Sequence, residues 1–93
     1  MRGATNAAAA GGGGMYDLFI ITDTTEYILP KSCRFLVVDG HLKSQTFARG
    51  AYVLAPEMSC DIGTASVTLS ADGRTIEISE TGYTINALAF YQS

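Results

Sequence analysis

The stretch Val67-Thr68-Leu69-Ser70-Ala71-Asp72-Gly73-Arg74-Thr75-Ile76-Glu77-Ile78 decides the fold class of this chain. Apolar and polar residues alternate on both sides of Asp72-Gly73, the period of a strand with one buried face. Asp-Gly between two such runs is a strong hairpin signal, because a type I′ turn needs φ above zero at both central positions. The predicted register opposes residues whose numbers sum to 145, so Leu69 faces Ile76 and Val67 faces Ile78. Thr68, Ser70, Thr75 and Glu77 then take the other side. A slip of one residue would separate every apolar pair.

Working outward, Thr81-Gly82 predicts the next turn and a third strand, with Ile78 opposite Ile85 and Ile76 opposite Ala87. Ile85 and Ala87 point inward in that arrangement, which sends Leu88 and Phe90 to the opposite face. Asp39-Gly40 predicts a second hairpin, with Val37 opposite Leu42. Its first strand, Phe35-Leu36-Val37-Val38, is apolar on both faces, as expected of a strand covered on both sides. Leu36, Val38, Leu88 and Phe90 are therefore the candidate contact residues. They meet either a second sheet of the same chain or a neighbouring subunit.

β-branched and aromatic runs separated by Gly, Pro, Asp and Ser predict strands near 16–22, 26–29, 33–38, 41–47, 51–55, 65–70, 74–79 and 83–91. No window carries a helical period with caps. The expected fold is all-β: a small antiparallel sandwich or barrel of about eight short strands, or a fold completed by a neighbouring subunit. Residues 15–93 form this single domain. Residues 1–14, MRGATNAAAAGGGG, read as an extended Gly/Ala-rich arm with no large apolar side chain, and Gly11, Gly12, Gly13 and Gly14 as its hinge. Such an arm is useful when a partner orders it; the plainer reading is a tail.

Hydrophobic residues make up 47% of the chain and charged residues only 16%, against about 25% in typical globular chains. A domain this small has a large surface relative to its core, so apolar surface is expected to remain for a partner. The net charge is −3, and the basic residues of the body are spread singly. That pattern argues against nucleic acid, which requires clustered cations, and against an anionic membrane surface. No apolar run approaches a membrane span or the core of a secretory signal.

Cys33 and Cys60 read as two reduced thiols behaving as small hydrophobes, although one disulfide between them is compatible with the spacing. His41 is the single histidine, placed beside the Asp39-Gly40 turn, with no local pattern marking a nucleophile–base pair. The acids are scattered near turns, no metal-ligand spacing occurs, and Gly11–Gly14 lacks the ending of a phosphate loop. No enzyme activity, metal or cofactor is expected. The five tyrosines raise an alternative, a carbohydrate- or receptor-binding module, but tyrosine is also an ordinary strand residue.

The small-residue arm Met1–Gly14, the Thr/Ser/Gly-rich body and the ending Val67–Ser79 with Gly82–Phe90 together resemble small structural proteins of tailed bacteriophages, such as head decoration proteins and tail-fibre modules. The resemblance is one of composition and one meander, and it carries over no residue roles. It implies a non-enzymatic virion protein that attaches to a capsid or tail through its arm and apolar strands. Such a protein has other virion subunits as partners, forms homo-oligomers and resides in the virion.

Overall fold

Buried and partly buried positions alternate along Tyr83–Tyr91 and, past an irregularity after Cys33, along residues 35–41, and that alternation builds two packed layers. The computed structural model describes residues 15–46 and 50–92. Eight strands occur among them: β1 (Tyr16–Ile21), β2 (Glu26–Ile28), β3 (Cys33–Leu42), β4 (Ala51–Leu54), β5 (Ser59–Ile62), β6 (Ala65–Leu69), β7 (Thr75–Ile78) and β8 (Tyr83–Tyr91). They form two four-stranded antiparallel sheets, sheet I in the order β1-β8-β3-β4 and sheet II in the order β2-β7-β6-β5. The fold is an all-β sandwich. First pairs with last and second with second-last, so the two ends of the domain are tied to each other, and β8 joins them to β3.

The core lies between the layers, and among the described residues it buries no charged side chain. Leu36, Val38, Leu54, Ile85 and Ala89 of sheet I meet Ile62, Val67, Leu69, Ile76 and Ile78 of sheet II, each at most 4% exposed. At one margin Phe19 of β1 stacks on Tyr27 of β2, with ring centroids 4.6 Å apart and planes 8° apart. At one end the loop after β6 is fastened to the start of β3. Cys33 N–H donates to Gly73 O (2.9 Å), and the Ser32 hydroxyl donates to Asp72 O (2.7 Å). Gly73 must be glycine here, with φ of 72° and a Cβ position 2.7 Å from Cys33 O.

The 145 register is observed: Val67 opposes Ile78, Thr68 opposes Glu77 and Leu69 opposes Ile76. The turn differs from the expected type I′ form. Among its residues only Gly73 has positive φ, and Gly73 N–H donates to Ser70 O (3.0 Å). Asp72 reinforces it by accepting from Arg74 N–H (3.0 Å) and the Ser70 hydroxyl (2.5 Å).

Three sequence expectations are corrected. Asp39-Gly40 makes no hairpin; β3 runs straight through it, so the strand expected over 41–47 does not form, its first two residues belonging to β3 and Phe47 lying outside the described residues. Gly40 is there for close packing, since a Cβ would sit 2.8 Å from Thr84 O and 2.9 Å from Ile85 Cδ1. Thr81-Gly82 makes no hairpin either, because the chain crosses there from sheet II to sheet I. Ile85 and Ala87 therefore face Ile76 and Ile78 across the core instead of lying beside them. Finally, β5 is an additional strand. Ile62-Gly63-Thr64-Ala65 closes a two-residue hairpin with Gly63 at φ 62°, and the buried Tyr83 hydroxyl accepts from Thr64 N–H (3.0 Å) to hold it.

Candidate functional site: the outer face of sheet I

The strand register assembles one face from side chains far apart in sequence. β8 alternates buried Ile85, Ala87, Ala89 and Tyr91 with outward Asn86, Leu88 and Phe90. Tyr16 lies beside Phe90, and Phe90 beside Phe35. These three rings form a continuous aromatic row, with centroid separations of 6.0 and 4.7 Å. The next row runs Leu18, Leu88, Val37 and Val53 across all four strands. Ile20 extends the apolar surface into a third row, where Asn86 Nδ2 donates to Asp39 Oδ1 (2.7 Å) and marks its polar border.

The relief of this face is uneven. The two edge strands stand proud, with Leu18 75%, Ile20 62% and Val53 61% exposed, while Phe35, Val37, Leu88 and Phe90 between them are half-buried. Four strands at about 4.8 Å spacing give a width of about 19 Å, and two to three side-chain rows a length of about 13–20 Å. That is on the order of 250–400 Å² of apolar footprint, the size at which a patch on a monomer is often functional. None of the residues in these rows is Lys or Arg.

The structure sorts the sequence-predicted contact residues. Leu88 and Phe90 lie on the outer face, opposite in direction to Ile85 and Ala87 as strand alternation required. Leu36 and Val38 do not: both are 0% exposed and packed against sheet II, so they are core residues. The outward members of that strand are Phe35 and Val37, the other parity of the same run. Gly11, Gly12, Gly13 and Gly14 lie outside the described residues. Besides Phe35 and Val37, sequence reasoning missed Tyr16, Leu18, Ile20 and Val53. The signal for Tyr16, Leu18 and Ile20 was present in Tyr16-Asp17-Leu18-Phe19-Ile20-Ile21, where one parity is wholly apolar and the other is apolar apart from Asp17.

The side chains capable of chemistry stay apart. His41 and Cys33 occupy opposite ends of β3, about 26 Å apart along an extended strand. The His41 ring bonds Leu42 O through Nδ1 (2.7 Å) and lies on the outer side of sheet I, whereas Cys60 faces inward from sheet II. Both cysteines are free thiols, and burial pushes each above the usual range, helped at Cys60 by the neighbouring Asp61 carboxylate. Among the described residues no group of three His, Cys, Asp or Glu side chains could hold a metal ion. The tyrosines are dispersed: Tyr83 and Tyr91 are buried, Tyr27 is stacked at the sandwich margin, and Tyr16 and Tyr52 lie on opposite edge strands. Burial raises the Tyr91 phenol, and its hydroxyl is engaged with the Asp17 carboxylate. No stacking platform of the kind a sugar ring requires is formed by them.

Comparison with known protein families, with characterised proteins and with solved structures found no match.

Proposed function

We propose that this chain is a non-enzymatic subunit of a protein assembly that binds a neighbouring protein through the outer face of sheet I. The observation that carries this reading is the apolar band Tyr16–Phe90–Phe35 and Leu18–Leu88–Val37–Val53, laid across every strand of one sheet with no basic residue in it. Covering such a band removes apolar surface from water at about 25 cal/mol per Å². Its aromatic row provides the rigid anchors that dominate protein interfaces. The narrower form of the proposal places the assembly in a virion, as a capsid or tail subunit. That placement rests on the compositional resemblance alone.

The test is co-sedimentation from the cells or particles in which the chain is made. Wild type is expected in the high-molecular-weight fraction. The double variant Val53→Lys, Leu88→Thr is expected to remain at the top of the gradient while keeping its fold. A control, Glu77→Gln on the outer side of sheet II, is expected to sediment like wild type. Loss of the control from the heavy fraction, or retention of the double variant, would contradict the assignment of the face.

A further inference from the structure

Each sheet ends in two edge strands, and natural sheets blunt such edges with short strands, prolines or charges to prevent pairing with another chain. Three of the four edges here follow that practice. β2 has three residues and is closed by Pro30. β4 has four residues and is followed by Pro56. β5 has four residues and carries Asp61. β1 has six residues, no proline and no lysine, and its one charge, Asp17, is turned to the Tyr91 hydroxyl of its own chain.

The backbone of β1 is also half unused. Tyr91 N–H donates to Met15 O (2.9 Å), which fixes the hydrogen-bonding parity: odd residues of β1 bond to β8. The N–H and C=O groups of Tyr16, Leu18 and Ile20 therefore point away from the sheet. Among the described residues no strand pairs with that side.

We propose that β1 pairs antiparallel with β1 of a second copy about a two-fold axis at Leu18, joining the two sheets I into one sheet of eight strands. The inference concerns the edge of the sheet and does not depend on what covers its outer face. Parity and charge select the register. Only pairings that oppose even residues to even residues bring the free backbone groups together. Centring on Asp17 would set the two carboxylates directly opposite each other, which is destabilising. Centring on Phe19 leaves Tyr16 opposite Thr22, beyond the end of the strand. Centring on Leu18 opposes Leu18 to its symmetry mate and Tyr16 to Ile20 of the second copy, twice. All three free residues are then paired, with two hydrogen bonds for each pair. Tyr–Ile is an aromatic–β-branched cross-strand pair, a favourable combination. Eight strands lie within the ordinary range for open sheets, and the contact is isologous and closes on itself.

Sedimentation velocity across a concentration series tests the pairing with two variants. Leu18→Pro removes an outward N–H and costs no bond to β8, a position where edge strands tolerate proline. It is expected to raise the dimer dissociation constant at least tenfold. Val53→Lys, on the outer face but far from the β1 edge, is expected to leave that constant within about threefold of wild type. A wild-type chain that stays monomeric at about 1 mM overturns the proposal. So does a dimer that survives Leu18→Pro and is lost with Val53→Lys, which would mean that the faces pack instead. Cysteine cross-linking reads the register independently of proline's effect on folding. Leu18→Cys faces its own mate at about 5.5 Å between Cα atoms, within disulfide reach, and is expected to form a covalent dimer under mild oxidation. Tyr16→Cys stands about 13 Å from its mate in this register and is expected to form none. Linking at 16 but not at 18 contradicts the two-fold at Leu18.

Discussion

The two outer faces of this sandwich are made by the same rule and have opposite chemistry. On sheet II the outward residues include Glu26, Glu77, Thr75, Thr68, Ser66 and Asp61, with Ile28 (62% exposed) the apolar exception, so alternation there reads mainly apolar-in, polar-out. On sheet I the outward residues of the two apolar rows are Tyr16, Leu18, Phe35, Val37, Val53, Leu88 and Phe90; direction alternates there without polarity alternating, until Asn86, Asp39 and His41 close the band. Folding needs only the inward parity, because only those side chains fill the space between the layers. The outward parity is free to serve water or a partner. Sheet II uses it for solvation, and sheet I leaves it apolar over all four strands.

The largest expected contrast is between neighbours of opposite parity on sheet II. Ile76, 0% exposed, is expected to cost about 2–3 kcal/mol when changed to Thr, from lost burial and an unpaired hydroxyl. Thr75→Ile, one residue away on the outer side, is expected to stay within about 0.5 kcal/mol, as a surface change does. Urea unfolding of both variants checks this, and equal costs would break the division into inward and outward parities.

A middle-sized effect separates the outer face of sheet I from the core beneath it. Phe90→Ser removes the ring that bridges Tyr16 and Phe35 and is expected to cost the isolated domain about 1–1.5 kcal/mol, the worth of such aromatic contacts. A cost of 3 kcal/mol or more, the range of a buried Phe truncation, would show that Phe90 belongs to the folding core.

The smallest effect concerns the turn that closes the polar sheet. The Ser70 hydroxyl and then Arg74 N–H bond the Asp72 carboxylate and hold it below its usual value of 3.8. A depressed carboxylate contributes stability that is present above the unfolded value and lost as pH falls through the folded one. Wild type is therefore expected to melt slightly above Asp72→Asn at pH 7, with the gap closing below about pH 4. A gap independent of pH would remove the carboxylate from the account.

Two Asp-Gly pairs show how much of this was legible in the sequence. Around Asp72-Gly73 the apolar parity changes, from Val67 and Leu69 to Ile76 and Ile78, and a chain reversal keeps all four inside. Around Asp39-Gly40 it does not change: Leu36, Val38, Gly40 and Leu42 continue one parity, and the strand continues with it. The dipeptide alone predicted two hairpins, and parity distinguishes the one that forms. Leu88 and Phe90 were readable as outward because Ile85 and Ala87 had to be inward. Leu36 and Val38 were not assignable, because Phe35-Leu36-Val37-Val38 is apolar on both parities and only the pairing with β8 chooses between them. The crossing at Thr81-Gly82 was hidden for a similar reason, since β8 presents its buried residues to the same core from either sheet.

Site-specific photo-cross-linking tests the functional difference between the two faces most directly. A benzophenone side chain at Val53, on the outer face of sheet I, is compared with one at Thr68, on the outer face of sheet II, each irradiated in the assembled, native state. The account predicts a discrete protein adduct from position 53 and none from position 68. Adducts from 68 alone, or from neither position while the chain is folded and expressed, would contradict the claim that sheet I is the face left open for a partner.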